Sequence, residues 1–86
     1  MKYFVVTVRD RAADVFGAPN FVLSIGGAIR GFADEINRTG DANNMFNKHP
    51  EDFDLFKLGL YDDQTATFDC ALPEQIAVGK DLLINK

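Results

Sequence analysis

Phe53-Asp54-Leu55-Phe56-Lys57-Leu58-Gly59-Leu60-Tyr61 is separated by Asp62-Asp63-Gln64 from Thr65-Ala66-Thr67-Phe68-Asp69-Cys70-Ala71. Both runs are apolar, aromatic or β-branched in a way that suits a pleated surface, and the acidic residues between them tolerate turn geometry. A β-hairpin is expected. Strict alternation puts Phe56, Leu58 and Leu60 on one face, matched by Ala66, Phe68 and Cys70. The other face then holds Phe53, Leu55, Lys57, Gly59 and Tyr61 beside Thr65, Thr67 and Asp69.

Working outward, Tyr3-Phe4-Val5-Val6-Thr7-Val8 is a further strand, stopped by Arg9, Asp10 and Arg11. Phe4, Val6 and Val8 share one side, and Tyr3, Val5 and Thr7 the other. Both sides are largely apolar, as in a central strand. Asp10 to Leu23 has neither a two-residue nor a 3.6-residue period and reads as a long connection, anchored by Val15, Phe16 and Phe21, with a short helical turn around Ala12 to Phe16. Ser24 caps a helix whose apolar positions Ile25, Ala28, Ile29, Phe32, Ala33 and Ile36 draw one stripe, and Gly40 marks its end. Gly26, Gly27 and Gly31 each cost that helix roughly 1 kcal/mol relative to Ala, which leads one to expect another backbone packed closely against it. Asp41 to Asp52 is a polar loop with Met45 and Phe46 as apolar anchors. Pro73 suits the first position of a closing helix, with Ile76, Ala77, Leu83, Ile84 and the stem of Lys80 on its buried side. The resulting expectation is one α+β domain over residues 1–86, with a small, mainly antiparallel three-stranded sheet packed by two helices in the order β-α-β-β-α.

The chain has 86 residues, which is room for one domain, and a chain of this size hides only about 60% of its unfolded surface. Nine Lys and Arg against thirteen Asp and Glu leave a net charge of -4, the wrong sign for a protein that wraps nucleic acid by neutralising phosphates. A single Cys excludes an intramolecular disulfide and a Cys-rich zinc site. No apolar run approaches the roughly 18 residues of a membrane span. A soluble, cytoplasmic protein with no membrane association is expected.

Lys48-His49-Pro50-Glu51-Asp52 gathers the only His with two carboxylates. His49 as a general base oriented by Glu51 or Asp52 is the enzyme reading. The plainer reading is a turn set by Pro50, and neither a nucleophile nor a metal-ligand spacing accompanies it. Cys70 reads as a small buried apolar residue. Asp62 and Asp63 read as solvated turn residues. Gly26-Gly27 lies in no phosphate-binding motif. No catalytic residue, cofactor or metal is therefore expected.

The second sheet face carries Tyr3, Val5, Phe53, Leu55 and Tyr61, more apolar surface than two helices on the other side would shelter. Contiguous exposed apolar surface marks an interaction site. A second copy of the chain, giving a homodimer, is the simplest partner. Single-stranded nucleic acid is the other, with Phe53 and Tyr61 stacking bases and Arg9, Arg11 and Lys57 meeting phosphates.

Lys48 to Asp63, together with Asp10, Ala13, Asp14, Phe16 and Pro19 and with Ala28-Ile29-Arg30-Gly31-Phe32-Ala33-Asp34, resembles the small nonstructural protein of gokushovirus-type microviruses. These are single-stranded DNA bacteriophages. The resemblance covers most of the chain up to the hairpin and fades in the closing helix. It implies a protein of the infected host's cytoplasm that is not a capsid component and acts in single-stranded genome synthesis or packaging. It implies no catalytic residues. With the acidic balance, contacts with phage replication or assembly proteins are expected ahead of direct DNA contact.

Overall fold

The computed structural model describes residues 1–84. β1 (Lys2–Asp10) runs through the middle of an antiparallel sheet. On one side it pairs with β4 (Phe53–Asp62), which in turn pairs with β5 (Thr67–Val78). On its other side it pairs first with β2 (Val15–Phe16) and then with β3 (Asn20–Val22). The order is β2-β1-β4-β5, with β3 also alongside β1. The helices are α1 (Ile25–Asn37), α2 (Met45–Lys48) and α3 (Gly79–Leu82), and Pro50–Asp52 forms a 3-10 turn. The α+β class and the antiparallel hairpin agree with expectation, whereas among the described residues the sheet has five strands and not three, the α-helices are three and not two, and the order is β-β-β-α-α-β-β-α in place of β-α-β-β-α.

Both extra strands come from the supposed connection. The Asp10 carboxylate accepts the N–H groups of Ala12 and Ala13 at 3.0 and 3.3 Å, and Asp14 takes a left-handed φ of 57°. This local turn reverses the chain so that Val15 and Phe16 pair with Asp10 and Arg9. No helical turn forms there. Gly17 then donates its N–H to the Val8 carbonyl at 2.8 Å, while the Thr7 hydroxyl donates to the Gly17 carbonyl at 2.7 Å. A strand with apolar residues on both sides has given each edge a neighbour.

Helix α1 starts where the cap residue places it, with the Ser24 hydroxyl accepting the Gly27 N–H at 3.0 Å. Its far end is closed by three asparagine side chains. Buried Asn44 donates through Nδ2 to the carbonyls of Glu35 and Arg38, and Asn47 donates to that of Ile36. Asn37 bridges Ala33 and Leu82. The glycines of α1 do not mark the expected backbone contact. No heavy atom lies within 4 Å of where a Cβ on Gly26 or Gly31 would stand, and only the Ser24 hydroxyl crowds Gly27.

The core is Val6, Phe32, Ile36, Phe53 and Leu55, joined by Val8, Ile29, Phe46, Ile76 and Ala77. A ten-residue strand such as β4 is about 33 Å long and a thirteen-residue helix about 20 Å, so α1 shelters only one end of the hairpin. The molecule measures 44 × 24 × 20 Å accordingly, with the turn end projecting.

β4 contains a bulge that changes which face its residues occupy. Val5 pairs with Gly59 and Val6 with Lys57, leaving Leu58 without a partner on β1. Every residue beyond a bulge switches sides relative to strict alternation. Phe53 and Leu55 consequently face the helices, and Tyr61 faces away from them with Tyr3 and Val5.

The ladder between β4 and β5 also opens here, between Gly59↔Cys70 and Lys57↔Glu74, so Ala71, Leu72 and Pro73 are spare residues opposite Leu58. Proline's missing N–H costs no ladder bond at such a site on an edge strand. The expected helix from Pro73 is for this reason strand as far as Val78, and only Gly79–Leu82 is helical. A second shift, between Leu55↔Ala77 and Phe56↔Gln75, leaves Ile76 spare and lets the consecutive Ile76 and Ala77 both pack on the core.

Candidate interaction face

The sheet face turned away from α1 is built from β1, β4, β5 and the two short strands. Register places Tyr3 beside Tyr61 and Tyr61 beside Phe68, while Phe21 lies beside Val5. Phe21, Tyr61 and Phe68 form a mutual cluster, with ring centroids 5.4 Å apart for Phe21 and Tyr61, 4.8 Å for Tyr61 and Phe68, and 6.1 Å for Phe21 and Phe68. Although packed together, Phe21 remains 49% exposed and Phe68 60% exposed. Tyr3 and Tyr61 are half-buried.

Toward the other end of the same face the surface becomes polar. Phe16 meets Phe56 edge-on at 5.3 Å, and the Arg9 guanidinium lies 5.8 Å above the Phe16 ring. Arg9 donates to Asp14 at 2.6 Å, and Arg11 donates through Nε to Asp54 at 2.6 Å. Asp54 is buried, its Oδ1 has no hydrogen-bond partner, and neither does the Nε of Arg9, its register neighbour. The hydrogen bond and charge of Asp54 raise the Arg11 guanidinium above its ordinary pKa. Both arginines thus carry a carboxylate partner.

The five residues expected to share one partner face are divided. Phe53 and Leu55 are buried in the chain's own core and Val5 is buried within the sheet, so they are unavailable to a partner. The cause for Phe53 and Leu55 is the bulge at Leu58, which sequence alternation alone does not reveal. Tyr3 and Tyr61 stay on the open face. Of the expected phosphate contacts, Arg9 and Arg11 lie at this face, but the Lys57 ammonium sits 5.3 Å from the Phe4 ring on the helix side. Phe21 and Phe68 were missed. Phe21 was hidden in a segment with no periodicity, and Phe68 was assigned inward by uninterrupted alternation. Once the bulge is known, the pairing of Phe68 with Tyr61 across the hairpin is the signal that finds it.

Elsewhere, His49 Nδ1 stands 3.6 Å from Glu51 Oε1, and ligand atoms of His49, Glu51 and Asp52 lie within 4.8 Å of one another. These three are the residues that would meet a metal ion, but a 3-10 turn brings them together unaided. His49 and Glu51 are exposed, and the turn is held by the Asp52 N–H donating to the His49 carbonyl at 3.0 Å. Asp63 is not simply solvated, because it accepts the N-terminal ammonium at 2.7 Å. Cys70 is exposed on edge strand β5, contrary to the expected burial, because α1 does not extend to the turn end of the hairpin. A shallow cleft of about 330 Å3 lies where the β4–β5 ladder opens, bounded by Lys57, Leu60, Asp69, Leu72 and Glu74. Among the described residues, no helix is long and apolar enough to cross a membrane.

A family described as Phage ORF5 protein matches residues 3–82, nearly the whole chain. The chain belongs to the Phage ORF5 protein family. It is accordingly a phage protein, and the family match extends through β5 and α3, across the closing segment in which the sequence resemblance fades. No curated protein and no solved structure matches the chain. The open aromatic face, held by β1, β3, β4 and β5, lies inside the stretch that defines this Phage ORF5 member.

Proposed function

We propose that this chain is a non-enzymatic, nonstructural protein of a gokushovirus-type phage. It acts in the host cytoplasm in the synthesis or packaging of a single-stranded DNA genome, by holding a phage replication or assembly protein on its open sheet face. The observation that carries this reading is the Phe21–Tyr61–Phe68 cluster, which packs together yet leaves Phe21 and Phe68 largely open to solvent. Exposed aromatic side chains grouped on a rigid sheet are typical anchors of protein interfaces. Membership in the phage family and the sequence resemblance supply the setting. The net charge of -4 and the pairing of Arg9 and Arg11 with carboxylates favour a protein partner over DNA.

The test is a phage carrying Phe21→Ser and Phe68→Ser together. Both side chains are exposed enough for the fold to persist, which circular dichroism of the purified variant checks. Loss of single-stranded progeny genomes while duplex replication continues is expected. A normal yield of progeny removes the reading.

A homodimeric single-stranded DNA-binding protein is the second reading, favoured by rings and two arginines on one face. Electrophoretic titration against single-stranded and duplex DNA at two salt concentrations separates the two readings. Tight binding to single strands alone, lost in the double serine variant, supports DNA.

A further inference from the structure

β5 is an edge strand whose pairing partner, among the described residues, is β4 alone. From Thr67 to Cys70 it is matched one-to-one with Asp62 to Gly59, and these four residues are all exposed. The direction of its free backbone groups follows from Gly59, where an added Cβ would meet the Asp69 carbonyl oxygen. Asp69 thus turns its carbonyl toward β4, and because successive residues of a strand turn theirs to opposite sides, Phe68 and Cys70 present N–H and C=O outward. Such a row is a template for another strand, and natural edges are commonly blunted with lysine. Thr67–Val78 contains neither Lys nor Arg, and Pro73 comes three residues after the stretch Thr67–Cys70 that is matched one-to-one with β4.

We propose that this edge joins two copies of the chain, β5 pairing antiparallel with β5 of the second copy about a two-fold axis at Cys70. Charge and exposure select that occupant and register. An axis at Asp69 would set two carboxylates face to face, which is destabilising. An axis at Phe68 would draw Ala66 into the ladder, although its φ of 55° belongs to the turn. With the axis at Cys70, Asp69 stands opposite Ala71 and Phe68 opposite Leu72, the latter 88% exposed in the single chain. No charged residue then meets a like charge between Thr67 and Pro73, so the segment is complementary to itself. The axis is perpendicular to the sheet, so both Phe21–Tyr61–Phe68 clusters fall on one side of a continuous double sheet. This inference concerns the edge and stands apart from whichever partner the open face takes.

Solution mass by sedimentation equilibrium tests it with three chains. The wild type is expected to be a dimer of the 9.5 kDa chain. Cys70→Lys and Cys70→Asp each place like charges at the axis and are expected to be monomers with unchanged circular dichroism. An equimolar mixture of the two is expected to regain the dimer, since opposite charges then meet. In the wild type, copper-phenanthroline oxidation should link the two Cys70 side chains, whose Cα atoms would be about 5.5 Å apart and within disulfide reach. A register centred on Phe68 would separate them by about 14 Å, four residues of strand rise, and leave them unlinked. A wild type that stays monomeric, and so leaves the edge to a strand of another protein, overturns the proposal. So does a dimer unlinked by oxidation, or a mixture that remains monomeric.

Discussion

Asp54 accepts the Nε–H of Arg11 at 2.6 Å although the two are 43 positions apart in the chain, and the carboxylate is buried while the guanidinium is half exposed. A buried charge that loses its partner is far more costly than an exposed one that does. Arg9 makes an equally short bond to Asp14, whose side chain is exposed. Arg11→Ala is therefore expected to lower the melting temperature clearly more than Arg9→Ala. Thermal unfolding followed by circular dichroism checks this, and equal melting of the two variants would count against it.

The Asp41 carboxyl is held below its ordinary pKa, first by the hydrogen bond from the Asn43 N–H and next by Arg38. A depressed folded pKa gives stability that is present above the ordinary carboxylate value and is lost as pH falls through the folded one. Asp41→Asn should lose stability against wild type at neutral pH, and the difference should vanish in strong acid. Arg11 and Arg38 are shifted upward, so their contribution is complete below the ordinary guanidinium value and flat through neutrality. Urea unfolding across the acid limb measures the difference.

Gly79 sits where a Cβ would run into the carbonyl oxygens of Phe53 and Pro50 and stand 3.2 Å from Ile36. Backbone cannot yield as a flexible side chain does, so Gly79→Ala should destabilise by about 1–3 kcal/mol. Gly26 and Gly31 in α1 have open space at the same position. Gly26→Ala and Gly31→Ala should each stabilise by about 0.5–1 kcal/mol. Chemical denaturation of the three variants gives opposite signs if the close approach is real.

Asn44 is buried with its Nδ2 shared between the carbonyls of Glu35 and Arg38. Asn44→Ala would remove both of these hydrogen bonds from the end of α1 and should cost about 1–3 kcal/mol, at roughly 0.5–1.5 kcal/mol for each bond. Ser24→Ala, at the exposed start of the same helix, should cost about 1 kcal/mol. Amide exchange should quicken at the C-terminal turn of α1 in the first variant and at the N-terminal turn in the second.

Helix α1 was readable because its signals are local: a serine whose hydroxyl reaches three residues ahead, and a stripe of Ile25, Ile29, Phe32 and Ile36 that needs one apolar wall. The hairpin was readable for the same reason. β2 and β3 were not, since strands of two and three residues have too few positions to show a period, and their cause is the Asp10 turn together with an open edge on β1. The closing segment misled because Pro73 and Glu74 suit a helix start as well as they suit a bulge. Pairing with β4 settled the choice, as tertiary hydrogen bonds outweigh a weak local preference.

An apolar surplus on the sheet follows from composition and alternation alone, because more apolar side chains fall on strands than two short helices have area to cover. Which residues make up that surplus depends on one unpaired residue, Leu58, whose place in the ladder is fixed by how β1 and β5 lie against β4. Side-chain direction repeats every two residues, so a single bulge sends Phe53 and Leu55 into the core and leaves Tyr61 with Phe21 and Phe68 outside. Information of that kind resides in pairing between distant segments, and no window of sequence contains it.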